Sequence, residues 1–147
     1  MKVLIDNRKA HFNYEVLDTF EAGIELFGFE VKSLMEGRGI LTGSFVIIRG
    51  GEAYVTGVQI PPYQALNTPT TYDPLRTRKL LLSKKQIKEL ADKDSRKGLT
   101  IVPLSLYNKG RLIKMEIAVV RGKKEFDKRE TIKKRDTDRE IRREYKR

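Results

Sequence analysis

Few side chains in this chain could make or break covalent bonds. There is no cysteine and one histidine, His11, which excludes thiolate nucleophiles, disulfides and imidazole-rich or thiolate metal sites. His11 lies beside Asn7, Arg8 and Lys9 with no recognisable nucleophile, and general acid-base work needs a positioned partner. Ser33 stands in no nucleophile elbow, and Lys84-Lys85 lack the glycine-rich loop of a phosphate cradle. The carboxylates are scattered, so no paired-acid or two-metal site emerges. No catalytic residue, cofactor or metal is expected.

Chemistry of another kind is concentrated in Arg76-Thr77-Arg78-Lys79, which follows a long proline-containing segment and leads into Leu80-Leu81-Leu82. Guanidinium forks match phosphate oxygens in pairs, so Arg76, Arg78 and Lys79 are expected to face a polyanion. Tyr14, Tyr63 and Tyr72 could stack on unpaired bases. Composition agrees: 31 Lys and Arg against 20 Asp and Glu leave a formal charge of +11. RNA, DNA and anionic lipid are all open partners on charge alone. No apolar run approaches the roughly 20 residues of a bilayer span, and Val3-Leu4-Ile5 is too short for a secretory core, so a cytosolic chain is expected.

The elements that must carry these residues divide at Arg121. Residues 1 to 120 hold 53 apolar residues, whereas 121 to 147 hold four: Phe126, Ile132, Ile141 and Tyr145. Four cannot offset an ordering cost of roughly 1–2 kcal/mol per residue, so a basic tail, disordered when free, is expected beyond one folded body. The tail carries 13 basic and 7 acidic residues. Glu125 with Arg129, Glu130 with Lys134 and Asp138 with Arg142 give it acid-first i,i+4 pairs, making it helix-capable on a binding surface.

Within the body, alternation over Phe12, Tyr14 and Val16 and again over Ile24 and Leu26 predicts two strands separated near Ala22-Gly23. Phe45 to Ile48 and Ala53 to Ile60 flank Gly50-Gly51, a hairpin signal. Leu99 to Tyr107 and Arg111 to Val120 form a third pair, with Ile113, Met115, Ile117 and Val119 on one face. Six strands are expected. Pro61 to Lys79 holds four of the five prolines, and loops of that length are commonly functional. Ser83-Lys84-Lys85-Gln86 is a capping box with Leu82 and Ile87 as its staple, so a helix starts at Lys84, presents Ile87, Leu90 and Ala91 inward, and stops by Gly98. The fold class is mainly β: a small antiparallel OB-like barrel over 1–120, with peripheral helices.

Asn7-Arg-Lys-Ala10 with His11 and Tyr14, Phe20-Glu-Ala-Gly-Ile24, Gly28-Phe-Glu-Val-Lys-Ser-Leu34, Asp73 to Leu82 and Gly122 to Arg129 occur in an order that resembles the SsrA-binding protein family, small protein B. Met35 departs from the family's usual arginine, and Gly43-Ser-Phe45 from its usual Asp-Ser-Tyr. The resemblance implies a non-catalytic protein that binds the tRNA-like domain of transfer-messenger RNA and supports its delivery to ribosomes stalled on truncated messages. It implies RNA-binding roles for Asn7, Tyr14, Glu21, Leu81, Ser83 and Lys114, although Ser83 is often asparagine or histidine in relatives. Arg8 and Lys9 complete the expected RNA surface. It also implies that the tail becomes helical in the empty messenger channel, with Asp127-Lys128-Arg129 serving accommodation and Lys123, Lys124, Lys133, Lys134 and Arg135 expected beside ribosomal RNA. A monomer without membrane partners is expected. Charge and tail alone equally permit a constitutive ribosomal RNA-binding protein, and an RNA-processing nuclease is the enzymatic alternative.

Overall fold

A computed structural model describes residues 1–64, 66 and 68–123. The tail residues Lys124, Asp127, Lys128, Arg129, Lys133, Lys134 and Arg135, and the expectations of disorder and induced helix, lie outside the described residues. In chain order the elements are β1 (Lys2–Asp6), α1 (Arg8–Asn13), β2 (Tyr14–Ile24), α2 (Gly28–Met35), β3 (Phe45–Arg49), β4 (Glu52–Thr56), β5 (Arg78–Leu81), α3 (Lys84–Asp94), β6 (Leu99–Lys109) and β7 (Leu112–Gly122).

All strands join one antiparallel sheet in the order β1-β6-β7-β2-β5-β4-β3. The sheet curls so that β3 approaches β6, but no ladder joins the edge strands β1 and β3, and the barrel is incomplete. The long strands β2 and β6 carry bulges, between Val16 and Asp18 and between Pro103 and Ser105, which bend a strand and increase its twist. The second bulge also accommodates Pro103, which has no N–H for the ladder.

The two later hairpins follow their sequence signals. Arg49 pairs with Glu52 across Gly50 and Gly51, whose φ values of +59° and +75° suit a two-residue turn. Met115, Ile117 and Val119 point into the main core, as their alternation requires, while Ala118 and Val120 face outward beneath α1 with Ala10, Val102 and Leu104. α3 begins at Lys84 after an Ser83 cap, with Gln86 N–H donating to Ser83 Oγ at 3.2 Å and Ser83 N–H donating to Gln86 Oε1 at 3.1 Å. Leu90 and Ile87 are buried, but Ala91 is exposed, so the inward face is narrower than expected.

The expected first hairpin is absent. β2 is one 11-residue strand that passes straight through Ala22-Gly23. Gly23 serves close approach rather than a turn: a Cβ there would lie 3.1 Å from Cβ of Leu81 on β5. Among the described residues seven strands form instead of six: two expected strands merge into β2, and β1 and β5 are added, being short and lacking the clean alternation that marks longer strands. α1 and α2, at 6 and 8 residues, are too short to show a helical period. Substitution of Ser83 by alanine should lower the unfolding free energy by about 1 kcal/mol, read from urea denaturation, because it removes a cap and leaves the helix face intact.

Candidate nucleic-acid interface

The basic motif before β5 is divided by the fold. Within β5, Arg78 and Leu80 share the inward face, and Arg78 is wholly buried. Its Nε donates to Glu30 Oε2 at 2.8 Å, Nη1 to the carbonyls of Val58 and Arg76 at 2.7 and 3.0 Å, and Nη2 to Pro74 O and Tyr72 Oη at 3.0 and 3.1 Å. All five N–H groups are thereby used. Arg78 does not face a phosphate, and the expectation that it would is corrected: a buried guanidinium must be fully partnered, and this one is.

The residue that partners it is Glu30, on α2, whose side chain is equally buried. Glu30 also accepts from Phe27 N–H at 2.7 Å and from Arg76 through Nε at 3.2 Å and through Nη2. Burial alone would raise its pKa. The Arg76 and Phe27 hydrogen bonds and the Arg78 charge overcome that and hold it below the ordinary carboxylate value. Tyr72 completes the cluster, its hydroxyl 2.9 Å from Glu30 Oε2 and 2.8 Å from Ile60 O. Burial, then the neighbouring Glu30, pushes its pKa up to about 12. Tyr72 is therefore anchored by its polar end rather than freely offered for stacking. Arg76 remains partly exposed, and Lys79 points outward to Glu52 at 3.4 Å.

The other expected residues form two groups on the outer face of the β6-β7-β2-β5 region. Lys114, Gly23 and Leu81 are register partners across β7, β2 and β5, and Tyr107 is paired with Lys114 from β6. Glu21, two residues before Gly23, shares that face and pairs with Glu116. Its carboxylate accepts from Tyr107 Oη at 2.5 Å and Lys109 Nζ at 3.3 Å, and these two hydrogen bonds lower its pKa. Leu81 is half exposed and leans over the bare backbone of Gly23. Ser83 lies two residues further along, but its hydroxyl is engaged in capping α3. Glu21, Leu81 and Lys114 thus meet as an acid, an apolar side chain and a base on one open surface.

At the far end, α1 covers the same sheet face. Asn7 is buried and acts as a clip: Nδ2 donates to Pro103 O at 2.8 Å, while Oδ1 accepts from Ala10 N–H at 3.3 Å. Its side chain holds α1 to β6. Lys9 and Tyr14 line a cleft of about 320 Å³ with Asn7, Phe45 and Thr100, and Arg8 is exposed nearby. Tyr63 sits beneath the Lys32 ammonium, 5.7 Å from its ring centroid. Lys123 donates through Nζ to His11 O, and its amide donates to Asn13 O. Ser33 is structural, donating to Pro61 O at 2.6 Å. Among the described residues no cluster of three or more metal-ligating side chains exists, and no helix is long and apolar enough to cross a membrane. Glu30 escaped the sequence reading; the available signal was that Arg78 has the parity of Leu80, which turns it inward and demands a buried acid.

A basic, antiparallel open barrel with a mixed polar and apolar outer face is a form suited to RNA recognition. The family model for "SmpB protein" matches residues 4–147, and the chain belongs to that family. An SsrA-binding protein of Gloeothece citriformis is 49% identical over 146 residues, covering 99% of this chain and 94% of its own. The SsrA-binding protein of Mesoplasma florum is 50% identical over 144 residues, covering 98% and 97%. A solved chain described under "tmRNA-SmpB: a journey to the center of the bacterial ribosome" superposes with a TM-score of 0.71 at 44% identity, covering 85% of this chain and 87% of the other.

Arg78→Ala should destabilise the protein by roughly 3–5 kcal/mol, because it removes the wholly buried cation facing Glu30 and leaves the Val58 and Pro74 carbonyls without their donor, whereas Lys79→Ala should change stability by less than about 1 kcal/mol. Paired denaturation curves check the contrast. With its folded pKa depressed, Glu30 contributes stability that is present above its ordinary value of 4.5 and is lost as pH falls through the lower folded value. The melting temperature should therefore drop as pH is lowered through that acid range.

Proposed function

We propose that this chain binds the tRNA-like domain of transfer-messenger RNA and supports its delivery to ribosomes stalled on truncated messages, without itself being a catalyst. The observation that carries this reading is the family match from residue 4 to residue 147, which spans body and tail together. The location that follows is the cytoplasm, where the ribosomes are. The outer face supports the reading chemically. Glu21, held ionised by Tyr107 and Lys109, is an acceptor for a 2′-hydroxyl or an exocyclic amine; Lys114 supplies a cation for phosphate, and Leu81 an apolar contact for a base or ribose face. Such a surface reads the shape and exposed groups of a compact RNA rather than a long sequence. Lys9, Tyr14 and the exposed Arg8 extend it toward α1, and Lys79 extends it along β5.

The two-part organisation is proposed on the same basis, with the folded body supplying RNA affinity and the cationic tail supplying ribosome contact. Lys123, Lys124, Asp127, Lys128, Arg129, Lys133, Lys134 and Arg135 are the residues assigned to that contact. A channel still occupied by message excludes the tail, so vacancy becomes the signal for accommodation. The cut that separates the two parts should follow Lys123 rather than Val120, because Arg121 and Gly122 still pair with Glu15 and Tyr14 in the sheet.

Removing residues 124–147 should leave affinity for the tRNA-like RNA within about threefold and abolish tagging of stalled products in a reconstituted translation system. Equal loss of both would contradict the division. Glu21→Ala and Lys114→Ala should each weaken RNA binding by roughly tenfold with little change in melting temperature. Lys79→Ala should reduce the salt slope of binding by roughly 0.7 to 0.9 if it meets one phosphate.

A further inference from the structure

Two aromatic rings carrying cations flank Phe29 where α2 meets the loop before β5. Phe27 is 50% exposed and has the Arg76 guanidinium over its ring at 4.1 Å from the centroid. Tyr63 carries the Lys32 ammonium. Phe29 stands between them, 5.5 Å from Phe27 and edge-on to Tyr72 at 4.7 Å and 86°. A cleft of about 350 Å³ opens on one side of Phe29, walled by Phe27, Pro69, Tyr72, Asp73 and Arg76. A second cleft of about 250 Å³, lined by Lys32 and Tyr63, shares the Phe29 wall.

Two of these walls are held by hydrogen bonds. Glu30 holds Arg76 through both Nε and Nη2, and Tyr72 is fixed through its hydroxyl. A guanidinium plane and aromatic rings held in place, with one carboxylate at the edge, match a ligand that is flat and apolar on its faces, bears N–H groups on its rim and is anionic next door. An unpaired nucleotide has that description, and an aliphatic peptide side chain does not. The location agrees: Arg76 lies two residues before β5, whose Leu81 belongs to the proposed RNA surface, and the chain carries a net charge of +11.

We propose that the cleft is a stacking subsite for an unpaired RNA base, which lies against Phe27 beside Tyr72 and Arg76. Asp73 accepts from the rim of the base, and Lys32 meets an adjoining phosphate from the neighbouring cleft. The subsite is separate from the Glu21, Leu81 and Lys114 surface, and it rests on the reading of this chain as an RNA-binding protein.

Fluorescence anisotropy of the full chain tests it with two labelled six-nucleotide strands, one of adenosines and one abasic throughout with the same phosphates. A separate titration uses the tRNA-like RNA. The wild type should bind the adenosine strand more tightly than the abasic one. Phe27→Ala, and Phe27→Leu, which keeps apolar bulk without an aromatic face, should weaken adenosine-strand binding by about 5- to 150-fold while leaving abasic binding unchanged. Phe27→Tyr should retain wild-type affinity. Unchanged affinity in Phe27→Leu, equal binding of the two strands by the wild type, or a photocrosslink from position 27 that lands on protein instead of RNA would overturn the proposal. If the wild type failed on the tRNA-like RNA yet bound adenosines in a Phe27-dependent way, the subsite would stand and the transfer-messenger reading alone would fall.

Discussion

The buried pair of Glu30 and Arg78 is the constraint on which the rest of the molecule depends. Removing both charges from water carries a penalty of several kcal/mol per ion, and a single contact does not offset it. The fold answers with near-complete satisfaction: five guanidinium donors are matched, and the carboxylate gathers Arg76, Arg78 and the Phe27 amide. Phe27 precedes α2, Val58 follows β4, and Tyr72, Pro74 and Arg76 lie in the proline-containing loop, so the pair ties α2, that loop, the chain after β4 and β5 into one unit. No buried polar side-chain atom among the described residues is left without a partner. The long loop is held in place from within rather than by secondary structure of its own.

This lock has consequences at the surface. By fixing Arg78 inward it sets the parity of β5, so that Lys79 and Leu81 point outward. Leu81 then lies against the backbone of Gly23 in the row of Lys114, an approach that any Cβ at position 23 would crowd. At the other end of the sheet, the buried amide of Asn7 holds α1 over Val102, Leu104, Ala118 and Val120. Residues that support the proposed RNA surface are therefore interleaved in sequence with residues assigned to it. Asn7 precedes Lys9, and Arg78 precedes Lys79, so neighbours in one motif perform different physical tasks.

Much of the fold was legible in the sequence where periodicity was long. β6 and β7 alternate over enough residues to declare their faces, Gly50-Gly51 declares a turn, and Ser83 with Gln86 declares a helix start. What was not legible depends on partners distant in sequence. Gly23 reads locally as a turn, but its meaning comes from Leu81, 58 positions later. Arg76 and Arg78 read locally as a phosphate-binding pair, and only Glu30 on another element turns them into structure. Gly43 adopts a φ of +82°, a conformation that strains most side chains and that spacing alone does not reveal. Glu21 was visible only through family resemblance, since an acid in a basic chain gives no charge signal of its own.

The folded body presents Glu21, Leu81 and Lys114 as one proposed recognition surface, while Arg78 of the basic motif serves the fold. Backbone amide chemical shifts of the isotope-labelled full chain, recorded with and without the tRNA-like RNA, test it directly. The account predicts that the largest shifts fall on Glu21, Gly23, Leu81 and Lys114. Shifts confined to α3 or to residues beyond Lys123, with that surface unmoved, would contradict it.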